Sequence, residues 1–202
     1  MAEKTLSLKK GKSLSLTKGV SKVRVVLEWK ERVRTSRSTL SFDIDLMIIE
    51  TDSYGKAVSP DHLVFFNSDC HTREGKLCDP EEAVVHSGDD TTGGNGGEEC
   101  ITSVGKLNQK VEKVLYMANI YDGVTRKQNF GMITNARVSV YEDDSDVPVV
   151  IYELGADFDT DSFLKIGYLE RKSGNSYSFV PVGEGNNKEL IDNLSGFGLN
   201  FE

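Results

Sequence analysis

The feature that most constrains the fold is a succession of about ten short segments in which apolar and polar residues alternate, separated by turns. Residues 23–29 and 136–141 alternate cleanly, as strands with one buried face do. Residues 163–170 and 176–182 flank a tight Ser-Gly-Asn turn at 173–175, which indicates a hairpin. The other predicted strands are residues 6–9, 13–17, 42–50, 63–67, 101–104, 111–121 and 149–154. We therefore predict an all-β fold, a β-sandwich of two packed, mostly antiparallel sheets.

Length and composition narrow the class of protein further. The chain has 202 residues with no internal linker, so we predict a single domain over residues 1–202. Only residues 187–194 are helical in pattern, and we expect one or two short helices. No apolar run approaches the roughly 18 residues of a membrane span. The first residues lack the apolar stretch of a signal peptide, so we expect a cytoplasmic protein.

The net charge of −8 is distributed unevenly along the chain. Residues 1–39 carry eleven Lys/Arg and three acids, whereas residues 40–100 carry three Lys/Arg and fourteen acids. Strand-like apolar runs inside the acidic segment argue against disorder. Repulsion of this density is tolerable where bound cations neutralise part of it.

A glycine-rich loop at residues 86–99 (His-Ser-Gly-Asp-Asp-Thr-Thr-Gly-Gly-Asn-Gly-Gly-Glu-Glu) lies within the acidic segment. Two carboxylates, Asp89 and Asp90, stand near its start, and Glu98 and Glu99 stand at its end. Calcium takes six to eight oxygens from carboxylates, amides and backbone carbonyls, and glycines allow the tight turns that direct them to one point. The loop alone fits a calcium site and a flexible solvated loop about equally well.

Further candidate ligands lie on the predicted strands. Asp43 and Asp45 are separated by one residue on a predicted strand, so both carboxylates point to one face of the sheet. The apolar residues Phe42, Ile44 and Leu46 point to the other face. Asn67 ends an apolar strand and offers a neutral oxygen. An ordinary solvent-facing pair of acids has the same spacing, but the nearby glycine loop favours a metal.

Other chemistries find little support in the sequence. The three cysteines are odd in number and irregularly spaced, which argues against a disulfide framework, and the Cys and His residues lack the paired spacing of a zinc site. No GxSxG, HExxH or GxxxxGK[ST] motif is present. The basic N-terminal segment has no interleaved stacking aromatics, so we expect no nucleic-acid partner. We favour its pairing with the acidic segment, and peripheral association with an anionic membrane surface stays open.

Several motifs in this order resemble those of the TerD family of bacterial tellurium-resistance and stress-response proteins. The matching elements are Leu-Ser-Leu-Lys-Lys-Gly at 6–11 and Leu-Ser-Leu-Thr-Lys at 14–18, Phe-Asp-Ile-Asp at 42–45, Val-Phe-Phe-Asn at 64–67, the loop at 86–99, Ile-Tyr-Asp-Gly at 120–123, and Arg-Lys-Gln-Asn-Phe-Gly at 126–131 with Asn135. The Gln-Asn-Phe-Gly element is the most distinctive of these, and the resemblance covers residues 5 to about 170.

The resemblance implies a β-sandwich that binds two neighbouring calcium ions through acidic loops. Carried over by position, the expected metal ligands are Asp43, Asp45, Asn67, Asp89, Asp90, Glu98 and Glu99, with backbone oxygens near Thr91, Gly93 and Asn95. Many members of the family carry an acid where Gly94 or Gly96 stands here, and fewer anionic ligands would weaken one of the two sites.

Three hypotheses about function follow. The first is a non-enzymatic, calcium-binding stress-response protein in which calcium orders a surface for other proteins of the same system. The second is a metal-dependent phosphohydrolase or nucleotide-processing domain that uses the same acids, with Arg126 and Lys127 as the phosphate-binding candidates. The third is a thiol-based handler of oxyanions or metals that uses Cys70, Cys78 and Cys100.

Overall fold

The computed structural model describes residues 14–15, 20–30, 42–94, 96–173 and 176–199. The predicted strand at 6–9, most of the predicted strand at 13–17, the candidate ligand Asn95 and the turn residues 174–175 lie outside these ranges.

Two six-stranded antiparallel sheets form the described part of the chain, which confirms the predicted all-β sandwich. The strands are β1 (Leu14–Ser15), β2 (Lys22–Lys30), β3 (Ile44–Thr51), β4 (Leu63–Val64), β5 (Leu77–Cys78), β6 (Val84–His86), β7 (Glu98–Ser103), β8 (Lys113–Ile120), β9 (Thr134–Glu142), β10 (Val150–Glu153), β11 (Phe163–Arg171) and β12 (Tyr177–Asn186). The first sheet has the order β1-β12-β11-β8-β3-β4, and the second has the order β10-β9-β2-β7-β6-β5. Strands β4 and β5 are therefore edge strands of different sheets.

The core between the sheets follows from the alternation in the sequence. On β2 every second residue is buried, and Val23, Val25, Leu27 and Trp29 belong to one large apolar cluster. Ile44 and its even-numbered neighbours on β3 enter the same cluster from the other sheet. The hydrophobic effect of this shared cluster holds the two sheets face to face.

Strand β3 is buried on both faces. Met47 and Ile49 point away from the main core and pack in a second cluster with Leu194, which belongs to a C-terminal helix. This helix, α3 (Leu190–Leu194), covers the outer face of the first sheet. Polar side chains on β3 are consequently removed from water whichever face they occupy.

The helical content and three strands differ from the prediction, which had no strand at β6 (Val84–His86). The prediction of a helix at 187–194 is confirmed by α3, but α1 (Gly123–Arg126) and α2 (Leu154–Asp157) were missed. Four-residue helices are too short to show a 3.6-residue period. The predicted strand 63–67 ends at Val64, and the predicted connection 68–83 contains the short strand β5. Among the described residues no helix is long and apolar enough to cross a membrane.

Candidate metal centre

The glycine-rich loop between β6 and β7 packs against the end of β2. Gly93 has φ +67°, and a Cβ there would lie 2.5 Å from the Trp29 carbonyl oxygen. Gly97 has φ +85°, and its Cβ would lie 2.0 Å from the Leu27 carbonyl oxygen. Only glycine permits both the positive φ and this approach to the strand backbone. The loop is therefore fitted to β2, which argues against the alternative of a free solvated loop.

Asp90 stabilises the loop from inside. It is buried, and its Oδ1 accepts hydrogen bonds from the Thr92 amide and hydroxyl, both at 3.2 Å. Its Oδ2 accepts a hydrogen bond from the Gly97 amide at 3.1 Å. Asp90 was predicted as a metal ligand, and the described contacts give both of its oxygens a structural role in closing the loop.

Glu98 connects the loop to the first sheet. Its Oε2 accepts a 2.6 Å hydrogen bond from the Leu46 amide on β3, and its Oε1 accepts one from the Asp90 amide at 3.2 Å. The same carboxylate lies 3.4 Å from His86 Nε2, and both side chains are fully buried. Because His86 Nδ1 accepts a hydrogen bond from the Gly88 amide, its Nε2 carries the proton and faces Glu98.

Three carboxylates from the two sheets meet beside Glu98. Asp43 precedes β3, Asp45 lies on β3, and Asp89 lies on the loop, and one oxygen from each lies within 4.8 Å of the others. Asp45 is only 2% exposed, Asp43 is half-buried and Asp89 is exposed. Asp43 Oδ1 and Asp45 Oδ2 are buried and find no hydrogen-bond partner within the part of the chain that the structure describes. We call Asp43, Asp45 and Asp89 the aspartate cluster.

The electrostatics of the aspartate cluster disfavour three negative charges. Burial, followed by repulsion from Glu98 and Asp43, raises the pKa of Asp45 to about 8. Burial and repulsion from Asp89 and Glu98 raise the pKa of Asp43 to about 6, against the nearby Arg126 guanidinium, which lowers it. Burial and Glu98 also raise the pKa of Asp89. The cluster therefore holds a proton on Asp45 near neutral pH unless another positive charge replaces it.

A hard divalent cation fits this donor set. The donors of the aspartate cluster are all carboxylate oxygens, two of them buried and without a partner, and they come from a strand and a glycine-rich loop. Calcium prefers oxygen ligands and accepts irregular geometry, whereas magnesium demands a near-ideal octahedron. Asp43, Asp45 and Asp89 are the residues that would hold calcium. The ion would neutralise the carboxylates, which in its absence are disfavoured in their charged form.

The structure does not bring all predicted ligands together. Glu99 follows Glu98 on β7, so its side chain points to the opposite face, where it lies 3.3 Å from Arg24. The prediction treated both glutamates as loop residues, but β7 begins at Glu98. Asn67 is exposed in the turn after β4, and no described contact joins it to the aspartate cluster. Backbone coordination by Thr91 and Gly93 stays a prediction.

The cysteines and histidines fall into separate environments. Cys70 lies opposite Cys78 of β5, beside the bridge between His71 and Leu77, and the two sulfurs are 3.5 Å apart. Cys100 is buried on β7, and its sulfur lies 4.0 Å from the Thr102 hydroxyl. His71 is exposed and bonds the Asp69 carbonyl. Among the described residues these side chains form no combined Cys/His ligand group.

Sequence reasoning missed the residues that position the aspartate cluster. The Trp29 indole donates to the Phe42 carbonyl at 3.1 Å, and the Tyr121 amide donates to the Asp43 carbonyl at 2.9 Å. These two bonds hold the peptide groups on both sides of the Asp43 α-carbon. They link residues 13 and 78 positions apart, and such contacts leave no local pattern.

Comparisons with known proteins agree with this fold. The TerD domain model matches residues 4–197. General stress protein 16U of Bacillus subtilis is 31% identical over 96% of this chain and 98% of its own length. Tellurium resistance protein TerD of Serratia marcescens is 29% identical over 97% of this chain and 98% of its own. A solved homologue of telluride resistance protein (TerD) from Streptomyces coelicolor A3(2) superposes with a TM-score of 0.69 over 88% of this chain and 98% of its own, at 16% identity.

The family model and the relatives place this β-sandwich in the tellurium-resistance and stress-response class of proteins. The chain belongs to the TerD family.

Proposed function

We propose that this protein is a non-enzymatic, calcium-binding member of its stress-response class. In this proposal calcium bound by Asp43, Asp45 and Asp89 joins the start of β3 to the β6–β7 loop. The observation that carries the proposal is the pair of buried, unpartnered oxygens, Asp43 Oδ1 and Asp45 Oδ2, within reach of Asp89. Buried carboxylates in this arrangement need protons or a cation, and a ligand set that contains only oxygen atoms favours calcium.

Calcium would act on the surface around the loop. A groove of about 390 Å³ lies beside the loop and is lined by Trp29, Gly93, Gly96 and Arg137, among others. Because Gly93 contacts Trp29 directly, a cation that holds the loop in place also fixes one wall of this groove. We propose that the groove receives another protein of the same stress-response system, in the cytoplasm.

Isothermal titration calorimetry of the full chain with CaCl₂, after treatment with chelator, tests calcium binding. We expect saturable binding and a calcium-dependent rise in melting temperature, because an ion that binds only the folded state stabilises it by mass action. Magnesium at the same concentration should produce a smaller rise. Absence of heat and of any melting shift up to millimolar calcium would refute the proposal.

A matched pair of variants assigns the binding to the aspartate cluster. Asp89→Asn removes one exposed ligand carboxylate, and we expect it to weaken calcium binding by about 10-fold or more. Asp146→Asn removes the same charge from the exposed turn between β9 and β10, at the opposite end of the sandwich, and should leave binding unchanged. Equal affinity in the two variants would show that the ion binds elsewhere.

The number of ions is tested by the same titration. The family resemblance implies two neighbouring ions, and the aspartate cluster supplies donors for one of them. We propose a second, weaker ion on the loop, where Gly94 and Gly96 offer no side-chain oxygen. A stoichiometry of two with unequal affinities supports this arrangement, and a stoichiometry of one limits the centre to the aspartate cluster.

One observation favours the second candidate function, a metal-dependent phosphohydrolase or nucleotide-processing domain. Arg126 lies close enough to lower the pKa of Asp43, so a cation and a guanidinium could both face a bound phosphate. Arg126 is also paired with Asp122 at 3.6 Å and lies over the Tyr121 ring. A screen with phosphate monoesters and nucleotides decides between the candidates, since turnover that requires a metal and is lost in Asp89→Ala would favour the enzyme.

A further inference from the structure

A second group of metal-ligating side chains lies at the opposite end of β3 from Asp45. Glu50 is near the end of β3, His62 ends the 3-10 turn Pro60–His62 that precedes β4, and Asp79 follows β5. Because β4 and β5 are edge strands of different sheets, the three side chains meet where those two edges come together. We call Glu50, His62 and Asp79 the edge cluster.

The edge cluster is more deeply buried than the aspartate cluster. Glu50 and Asp79 are fully buried and His62 is 4% exposed, and one ligand atom from each lies within 4.8 Å of the others. Both carboxylate oxygens of Glu50 lack a hydrogen-bond partner in the described ranges of the chain. A fully buried carboxylate with two unused oxygens, aimed at an imidazole and a second carboxylate, is an independent indication of a missing ligand.

The imidazole of His62 is oriented for coordination. Its Nδ1 lies 2.7 Å from the Ser59 hydroxyl, which fixes the ring and leaves Nε2 as the available ligand atom. Nε2 in turn lies 3.2 Å from Oε2 of Glu81. Most metal-binding histidines have a hydrogen bond on the ring nitrogen that does not bind the metal, which here is Nδ1 with Ser59.

Backbone amides hold the second carboxylate in place. Asp79 Oδ1 accepts a 2.6 Å hydrogen bond from the Val84 amide, and Oδ2 accepts one from the Glu81 amide at 3.3 Å. Each oxygen keeps a further lone pair. The turn that follows β5 therefore presents Asp79 and Glu81 from one side, while β3 presents Glu50 from the other.

The charges in this region require compensation. Burial, followed by repulsion from the carboxylates of Asp79 and Glu81, raises the pKa of Glu50 to about 9. Facing carboxylates that cannot find hydrogen-bond donors must share a proton or bind a cation. A nitrogen ligand beside them distinguishes this group from the all-oxygen aspartate cluster.

We propose that Glu50, His62 and Asp79, with Glu81 beside the histidine, form a binding site for a divalent first-row transition metal, with Zn²⁺ as its best-fitting probe. Zinc binds imidazole nitrogen and carboxylate oxygen at about 2.0–2.2 Å, which places neighbouring ligand atoms of a tetrahedron about 3.3 Å apart. Glu81 Oε2 lies 3.2 Å from His62 Nε2, so Glu81 is the further carboxylate that could complete a four-ligand set. The imidazole disfavours calcium and magnesium, which take oxygen ligands.

The test is titration of the full, reduced chain with ZnCl₂ while excess calcium is present. Calcium occupies any all-oxygen site, so the outcome is independent of whether the calcium proposal holds. We expect one Zn²⁺ per chain, and a melting temperature that rises with Zn²⁺. Mn²⁺, which prefers carboxylates to thiolates, should compete for the same site.

Variants separate this site from other zinc-binding side chains. His62→Gln should weaken zinc binding by about 100-fold, and Ser59→Ala by about 10-fold because the ring loses its orienting bond. His71→Gln removes an exposed histidine and should change nothing, as should the double change of Cys70 and Cys78 to Ser. Zinc binding that survives His62→Gln, or that disappears in the cysteine variant, would overturn the proposal.

Glu50→Gln distinguishes loss of the metal site from misfolding, because we expect this variant to stay folded. It removes the buried carboxyl that the metal-free fold must protonate, so we expect it to melt at a higher temperature than the wild type in chelator and to lose the zinc-induced rise. If the edge cluster only shares a proton, the wild type itself shows no zinc-induced rise and binds no zinc in the presence of calcium. That result would refute the metal site and leave the calcium proposal untouched.

Discussion

Asp45→Asn in the metal-free protein should raise stability at alkaline pH, although it removes a side chain from the proposed calcium centre. Asp45 is 2% exposed, and its Oδ2 finds no donor in the described part of the chain. It faces the carboxylates of Glu98, Asp43 and Asp89, and burial with this repulsion raises its pKa to about 8. Asparagine has nearly the same shape and carries no charge, so the substitution removes the repulsion without opening a cavity.

The sign of the effect follows from proton linkage. The folded-state pKa of Asp45 is above that of an unfolded chain, whose ordinary value is about 3.9. Between these values the folded protein binds a proton that the unfolded chain has lost, so stability is highest at low pH and falls as pH rises toward 8. The slope is about 1.4 kcal/mol per pH unit for one group. From pH 5 to pH 8 we expect Asp45 to lower the free energy of unfolding by about 3 kcal/mol, which Asp45→Asn should restore.

Urea denaturation in chelator at pH 5, 6, 7 and 8 measures this difference for the wild type and the variant. The stability advantage of Asp45→Asn should widen by about 3 kcal/mol over that range, which is about 6–12 °C in melting temperature for a chain of this size. Glu50 contributes a slope of the same sign, but it is common to both proteins and cancels in the difference. The reasoning fails if Asp45→Asn is less stable than the wild type at pH 8, or if the difference is independent of pH. Asp146→Asn, an exposed acid, should show no widening.

Three further predictions concern the loop and the core. Gly97→Ala should destabilise the protein by about 2–4 kcal/mol, because its Cβ would overlap the β2 backbone, whereas Gly96→Ala, with open space around it, should cost about 1 kcal/mol; urea denaturation of both compares them. Thr102→Val should cost about 1–3 kcal/mol by leaving the buried Tyr116 hydroxyl without its 2.7 Å partner, and Thr102→Ser should recover most of that loss in the same assay. Trp29 is the sole tryptophan and contacts the loop, so calcium should change its fluorescence; an unchanged emission at saturating calcium would show that the ion does not act on the loop.

Much of the sandwich could be predicted from the sequence because apolar and polar residues alternate along strands that have one buried face. Strands β2 and β7 bury every second residue. The predicted strand 23–29 lies within β2, and the predicted strand 101–104 overlaps the end of β7. Strand β3 departs from this pattern because α3 covers its outer face, and all eight of its residues are buried. Strand β5 has two residues, too few to show any period.

The aspartate cluster was predictable in part for a local reason. Asp43 and Asp45 share a face because of strand alternation, and the acidic loop that carries Asp89 is recognisable from its glycines. Because β7 begins at Glu98, the side chains of Glu98 and Glu99 point to opposite faces of the sheet. The boundary of a strand is the least certain feature of a sequence-based prediction, and here it decides which glutamate reaches the cluster.

The edge cluster has no local signal at all. Glu50, His62 and Asp79 are separated by turns and a hairpin, and their spacing matches no metal-binding motif. They come together because β4 and β5 end the two sheets on the same side of the sandwich. The informative observation is then a physical one, a buried carboxylate without a donor, which only the folded chain displays.

The positions of the two clusters suggest why a sandwich with a large apolar core would keep so many buried acids. The aspartate cluster joins β3 of the first sheet to the β6–β7 loop of the second, and the edge cluster joins β3 to the turn after β5. Without cations, Asp45 and Glu50 must take up protons at neutral pH that the unfolded chain does not bind, and this uptake costs stability. With cations, the same residues become links between the sheets. On the two proposals together, the stability of the sandwich follows the supply of free metal, and chelator should weaken both ends of the contact between β3 and the second sheet at once.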